Sequence, residues 1–328
     1  MSKAGTAAIV TTLRNAGPVL DSFVAYRRAI GFAHMFLFFD DPDDPDLRRA
    51  GTIPGVTAIA HDGALGKAWR DLRSYPRLNS FADSEVMARQ QLNVELATGL
   101  ARASGHEWLL SIDADELFFS PGESVAQHFE SLAATAYETI SYPNYEAVPT
   151  RDDIHDFFRE VDLFKPPPAQ AQSFLVPALR HAEQTIPQLK PYFHYYLNGK
   201  SAVRLTADPL EPAGVHRFQR SVGTMNIASS TGHFILHYAC CGFESFWTKY
   251  VTLGHFADKW WGTEPVGPFH RDSRDVVQSG DRNRARAFYQ ARIAISDAHL
   301  VEQLVGSGVL VRLPQPRQII EAAQGIRP

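Results

Sequence analysis

Cysteine is scarce: the 328-residue chain has two, Cys240 and Cys241, side by side. Adjacent cysteines offer neither a disulfide framework nor Cys-x-x-Cys metal spacing. A reducing compartment, the cytoplasm, is the simplest expectation. Basic charge is not in excess either. A net charge of −4 gives no footprint for nucleic acid, so no nucleic-acid partner is expected. Long apolar runs are missing, none nearing the roughly 18 residues of a membrane span. Met1 to Thr12, with one lysine and a short apolar stretch, lacks the length and cleavage pattern of a signal peptide. No internal repeat or clean linker is present. What remains, 45% hydrophobic and 21% charged residues, is ordinary for a soluble globular protein. The length suits one large α/β domain with an appendage, or two domains.

Strand and helix patterns alternate through the first half. Ala7 to Leu13 reads as a buried strand, and Pro18 suits the first position of a helix. Leu20, Phe23, Val24 and Ile30 recur at helical spacing before Gly31. His34 to Phe39 and Val56 to Ala60 read as strands. A long helix runs from a cap at Asp83 or Ser84 to about Ser104, and Ser124 to Ala134 as another. Glu138 to Val148 reads as one strand. Such alternation predicts an α/β fold with a mostly parallel central sheet covered by helices. Ligands of such sheets bind beyond the carboxyl ends of the strands, where Arg14-Asn15, Asp40 and Asp113/Asp115 would lie. The second half is less regular: a loop or lid from Lys165-Pro166-Pro167-Pro168, strands at Lys200–Leu205, Val215–Phe218 and His233–Ala239, an aromatic helix from Phe243 to about Trp261, and a terminal helix over Arg282–Leu304. The expected division is a catalytic domain, 1–240, and a helical C-terminal extension packed on it, 241–328.

The richest chemistry lies in Glu107-Trp108-Leu109-Leu110-Ser111-Ile112-Asp113-Ala114-Asp115-Glu116-Leu117. An apolar run ends abruptly in three carboxylates. In an extended strand, residues i and i+2 project to one side, so Asp113 and Asp115 are expected to point together. Two like charges about 4 Å apart repel by roughly 1 kcal/mol in water and about 4 kcal/mol near a protein surface, so the pair calls for a cation. Oxygen-only ligands favour a hard metal, Mg2+ or Mn2+, over zinc. His237, ending the apolar run from His233, is the expected third ligand, with His216 as its competitor.

Competing motifs fit less well. Asp40 to Asp44 has the Asp-Asp-x-x-Asp pattern of prenyl-diphosphate enzymes, but Pro42 and Pro45 forbid the helix that pattern needs. Asp43, Asp44 and Asp46 are expected in a solvated turn, whereas Asp40 at a strand end could accept hydrogen bonds from a nucleobase or ribose. A haloacid-dehalogenase-type phosphatase normally carries Thr or Val where Leu117 stands. Lys249 could reach a diphosphate, with Lys200 and Arg204 as weaker possibilities. Phe243, Phe246, Trp247, Trp260 and Trp261 fit packing better than sugar stacking.

Three segments carry a family resemblance. Thr12-Leu13-Arg14-Asn15-Ala16-Gly17-Pro18 with Tyr26-Arg27-Arg28-Ala29-Ile30-Gly31-Phe32, then Arg89-Gln90-Gln91 with the Asp113–Glu116 strand, and His237-Tyr238 with Phe243-Glu244-Ser245-Phe246 and Lys249, resemble the family-2-like and family-92-like glycosyltransferases. Ala16 departs from the usual Glu, and Tyr142-Pro143-Asn144-Tyr145-Glu146 departs in the acceptor region. The resemblance implies a GT-A (Rossmann-like) fold and a nucleotide-sugar donor, most often UDP-linked. It places donor contacts at Thr12, Arg14, Asn15, Asp40, Gln91, Asp113, Ala114 and Lys249, with Mn2+ or Mg2+ at Asp113, Asp115 and His237. An inverting transfer to a carbohydrate or other hydroxyl acceptor needs a carboxylate base. Glu146 is the first expectation, with Asp153 and Asp152 nearby. The segment from Asp153 to Gln188 could close over the donor. The alternatives are a nucleotide-sugar-binding protein without turnover and a metal-dependent phosphohydrolase.

Overall fold

The computed structural model describes residues 6–17, 19–168, 176–205, 208, 210–260 and 264–326. The chain forms two compact units, and it crosses between them repeatedly instead of being cut once near residue 240. One unit comprises Met1–Pro143 with Asn198–Ile235, the other Asn144–Leu197 with Leu236–Pro328.

The first unit begins with β1 (Ala7–Leu13), α1 (Val19–Ile30), β2 (His34–Phe39), α2 (Asp46–Gly51) and β3 (Val56–Ala60). It continues through α3 (Gly63–Trp69), α4 (Tyr75–Leu78), α5 (Val86–Ala103), β4 (Trp108–Ser111), β5 (Glu116–Phe119), α6 (Val125–Ser131) and β6 (Thr139–Tyr142). Pro18 lies outside the described residues. β1 to β4 need residues 6–111 only, and they pair in parallel in the order β3-β2-β1-β4. Ala8, Ile9, Leu37, Leu109 and Leu110 are fully buried, as a strand covered on both faces requires. Helices α2 and α5 pack on β3 and β1.

In chain order the second unit then supplies β7 (Asn144–Ala147), α7 (Phe157–Glu160), β8 (Leu163–Lys165) and α8 (Val176–Thr185). The chain returns to the first unit for β9 (Lys200–Arg204), β10 (Glu211–Ala213), β11 (Arg217–Gln219) and β12 (Ile227–Ser229). β9 slots between β4 and β6, antiparallel to both, and β12 runs parallel beside β6. In this seven-stranded sheet β9 alone opposes the common direction. The mostly parallel α/β sheet flanked by helices, as expected of a GT-A fold, is therefore what the chain builds.

Gly199 makes the return to β9 possible. Its φ is +63°, and a Cβ there would stand 1.9 Å from the carbonyl oxygen of Tyr142, so only glycine fits this approach. The single strand expected over Glu138–Val148 is two strands, β6 and β7. Pro143 has no N–H for a ladder and breaks it.

β13 (Phe234–His237) carries the chain out of the first unit, and α9 (Phe243–Leu253), β14 (Lys259–Trp260), β15 (Glu264–Pro265) and α10 (Pro268–Gln278) follow. The unit ends with α11 (Arg282–Arg292), α12 (Ala298–Gly306), β16 (Val311–Arg312) and α13 (Gln315–Ala323). The aromatic helix stops at Gly254 (φ +64°) and not near Trp261, which lies outside the described residues. The terminal helix is two helices, because Asp297 starts the second by accepting from the N–H groups of His299 and Leu300. Phe243 and Phe246 are buried in a core with Tyr250, Phe269 and Tyr289, and Trp247 packs against its edge, so these aromatics do pack. The segment 153–188, expected as a lid, contains α7, β8 and α8; residues 169–175 lie outside the described ones.

Candidate functional site

The site is built on α5, β4 and β9 of the first unit. β4 ends at Ser111, and Ala114-Asp115 lie in a turn. The expected same-side projection of Asp113 and Asp115 from an extended strand is therefore corrected. Glu116 makes the turn: its N–H donates to the carbonyl of Asp113 at 3.2 Å, and its carboxylate accepts from the N–H of Asp113 at 2.7 Å. Arg27, fully buried in α1, donates to the carbonyl of Glu116 at 2.7 Å. Tyr26 donates to the carbonyl of Phe118 at 3.0 Å. The Tyr-Arg pair of α1 thus fixes the strand that follows the acidic turn.

Both carboxylate oxygens of Asp113 are engaged. Gln90 Nε2 donates to Oδ1 at 2.8 Å and Lys200 Nζ to Oδ2 at 2.7 Å. Lys200 is buried and also lies 3.7 Å from Glu116. Burial alone would lower its pKa, but Asp113 and Glu116 outweigh that and raise it, so it stays an ammonium. Burial pushes Glu116 well above the usual carboxylate range, Lys200 pulls it back, and Asp113 and Asp115 add to the rise. The buried Lys200 ammonium thus sits against Asp113 and Glu116 in a turn that also carries Asp115. Asp113, Ala114 and Asp115 are each half-buried.

The neighbouring strand ends bring further polar groups to the same edge. Thr12 Oγ1 accepts from Asn93 Nδ2 at 2.9 Å, and Asn93 Oδ1 accepts from the Trp69 indole at 3.1 Å. Asp40 takes a two-pronged contact from Arg89, at 2.5 and 2.8 Å, so any nucleotide contact at Asp40 involves an Arg-Asp unit. Arg14 pairs with Asp41 at 3.1 Å in the open. Asn15, at φ +52°, donates its backbone N–H to Asp44 at 2.6 Å, and Gly17 does so to Asp46 at 2.9 Å. Asp44 and Asp46 are buried. The solvated turn expected for them is instead the clamp that shapes the β1–α1 loop; Asp43 alone of the three is exposed.

Several expected residues do other work. Gln91 faces inward: its Oε1 accepts from the N–H of Gly214 at 3.1 Å and from Arg77. Its neighbour Gln90 is the residue that reaches Asp113. Arg204 donates to the carbonyl of Leu132 and lies over Trp108, a packing role. His216 donates from Nδ1 to the carbonyl of Gly199 at 2.8 Å, and Val215 beside it lines a small cleft with Val10, Thr12, Gln90, Val94, Ser111, Ile112 and Asp113.

In the second unit, His237 is buried against Tyr195 and Tyr196, and Lys249 lies over the Tyr195 ring. Glu146, the expected base, is 2% exposed. It pairs with Lys165 at 2.8 Å and accepts from the N–H groups of His194 and Tyr195. A carboxylate so enclosed anchors a fold and has no face left for an acceptor hydroxyl, so that expectation is corrected. Asp152 is held by Arg286 and Gln290, whereas the side chain of Asp153 is 83% exposed beside Arg151.

No family model matches the chain. Two Arabidopsis thaliana proteins do, glycosyltransferase-like At2g41451 at 28% identity and glycosyltransferase-like At3g57200 at 26%, each over 91% of this chain. The chain is thus similar to glycosyltransferase-like proteins. It spans 68% of the first relative's length and 60% of the second's. Among solved structures, core-mannan synthase A of Aspergillus fumigatus in its Mn/GDP form matches at 12% identity and a TM-score of 0.28, over 45% of this chain and 44% of that one. Glucosyl-3-phosphoglycerate synthase of Mycobacterium tuberculosis matches at 10% and 0.28, over 61% and 57%. At those scores the fold assignment stays with the chain's own sheet order. No helix among the described residues is long and apolar enough to cross a membrane.

Proposed function

We propose that the protein is a metal-dependent glycosyltransferase that moves a sugar, with inversion, from a UDP-linked donor to a hydroxyl acceptor in the cytoplasm. The observation that carries this is the acidic turn at the carboxyl edge of a parallel sheet, with Asp113 fixed by Gln90 and Lys200. Oxygen donors of this kind fit Mn2+ or Mg2+. Asp115 would hold the ion with Asp113 beside it, and His216, in the same unit, would supply the imidazole. When bound, such an ion neutralises the diphosphate leaving group as a Lewis acid.

The chain's own residues do the rest. Thr12, Arg14 and the backbone of Asn15 border the donor, with Thr12 held through Asn93 and Trp69. The Arg89-Asp40 unit offers a rigid polar contact to the base or ribose. Of the three expected bases, Asp153 keeps an exposed carboxylate that can take the acceptor's proton.

Incubation with UDP-sugars and Mn2+ should release UDP, faster when an acceptor is added. Asp115→Asn should abolish metal-dependent donor binding in calorimetry while circular dichroism stays unchanged. Full donor binding by that variant sinks the reading. Donor binding without turnover on any acceptor favours a nucleotide-sugar-binding protein. Phosphate release from simple phosphomonoesters favours a hydrolase. Comparing His216→Ala with His237→Ala for Mn2+ affinity identifies the imidazole.

A further inference from the structure

A second ligand cluster lies in the first unit, apart from the Asp113–Glu116 turn in sequence and in chemistry. Glu123 sits in the loop between β5 and α6, His128 is on α6, and His233 stands just before β13. His233 Nε2 is 2.5 Å from Glu123 Oε1, and His128 Nδ1 is 3.6 Å from the same oxygen. One donor atom from each of the three lies within 4.8 Å of the others. The two imidazole rings have centroids 3.8 Å apart at an angle of 38°.

The far nitrogen of each ring is already oriented. His128 Nε2 is 2.8 Å from the hydroxyl of buried Tyr142. His233 Nδ1 is 3.2 Å from Ser230 Oγ, which also accepts the backbone N–H of His233 at 2.9 Å. If each ring donates to its hydroxyl, the lone pairs of His128 Nδ1 and His233 Nε2 both face Glu123. Outer hydrogen bonds that fix the tautomer and aim of a liganding histidine are a regular part of metal sites. Phe118 packs against both rings.

We propose that Glu123, His128 and His233 bind a zinc ion. Two imidazoles and one carboxylate match the borderline softness of Zn2+ and differ from the all-oxygen turn at Asp113 and Asp115. Tetrahedral zinc with ligands at about 2.0–2.2 Å needs donors roughly 3.3 Å apart, which small side-chain adjustments supply. The Glu123 side chain is 35% exposed, so water can take the fourth position. The ion ties the β5–α6 loop to the segment entering β13, a cross-link between distant parts of one unit.

The test is zinc titration of the full chain after chelator treatment, by calorimetry and elemental analysis. It is run in the wild type and in Asp115→Asn, which removes the other carboxylate site from competition. One zinc per chain should bind in Asp115→Asn, raise its melting temperature, and show two nitrogen and one or more oxygen ligands by X-ray absorption. His233→Ala and Glu123→Gln, both at partly exposed positions, should weaken binding at least about 100-fold, and Ser230→Ala about 10-fold, all with unchanged circular dichroism. Absence of stoichiometric zinc in the Asp115→Asn chain overturns the proposal. So does wild-type affinity in His233→Ala or Glu123→Gln. Loss of donor turnover alone leaves this outcome untouched, because the zinc readout does not depend on the transfer reaction.

Discussion

Lys200 Nζ lies 2.7 Å from Asp113 Oδ2, joining β9 to the acidic turn after β4 across 87 residues of sequence. The ammonium is 1% exposed, so it acts with little screening. It is the counter-charge that lets Asp113 and Glu116 share one turn.

Removing it should be costly. Lys200→Met leaves Glu116, itself fully buried, without its cation. Breaking one side of a buried ion pair costs about 3–5 kcal/mol. Urea denaturation should show a loss of that size.

Asp115→Asn should behave differently. The amide preserves shape at a half-buried position, so stability should change by less than about 1 kcal/mol. Metal-dependent turnover should fall at least about 100-fold, since a Lewis-acid ion is worth several kcal/mol. Turnover against Mn2+ concentration gives the measurement.

Glu146 gives a sharper contrast between anchor and base. Glu146→Ala strands Lys165 in the interior and should cost about 3–5 kcal/mol, while the double variant Glu146→Met/Lys165→Met should recover most of it. A base would instead lose turnover in Glu146→Gln at unchanged stability. Denaturation and kinetics on the same three variants separate the two.

Acid should destabilise the protein before its carboxylates titrate. Burial, then Lys165, Arg292 and His270, hold the His194 pKa well below its ordinary value. Burial, then Lys249 and His237, hold His270 at about 4. The unfolded value is about 6.5, so between these values the unfolded chain binds more protons and stability falls with falling pH. Each histidine contributes a slope of up to about 1.4 kcal/mol per pH unit. Glu116, with its raised pKa, opposes this as one group against these two and against His34, His106 and His128, which burial also holds low. Denaturation midpoints should be flat above about pH 7 and decline from about 6.5 towards 4.5. His270→Gln should make the decline shallower.

Gly199→Ala tests the backbone approach to Tyr142. Positive φ and the 1.9 Å contact both oppose a methyl group, so the loss should exceed about 1 kcal/mol. Thermal unfolding reads it directly.

Much of the first unit was legible because buried parallel strands announce themselves as apolar runs and their ligand edge follows from topology. Arg14-Asn15, Asp40 and Asp113 stand just past strand ends for that reason. The register of α5 was not legible. Arg89, Gln90 and Gln91 turn to Asp40, Asp113 and Arg77 respectively, and neighbouring helix positions point about 100° apart. A one-residue step along the helix therefore turns one glutamine to Asp113 and the next to Arg77 and Gly214. The roles of Asp44 and Asp46 depend on N–H groups 29 residues away, and that of Glu146 on Lys165 and the backbone at His194. Local pattern carries none of those pairings. Pro143 is visible in the sequence, and its missing N–H divides the run into two strands.

The late arrival of β9 has a consequence for synthesis. β1 to β4 are complete once Ser111 has left the ribosome, yet the outer side of β4 has no partner until Lys200–Arg204 emerges. At roughly 5–20 residues per second, that interval lasts several seconds. An apolar strand edge stands open during it, the kind of surface on which nascent chains pair wrongly. Ribosome-bound chains halted near residue 150 should therefore recruit chaperones more strongly than chains halted beyond residue 240.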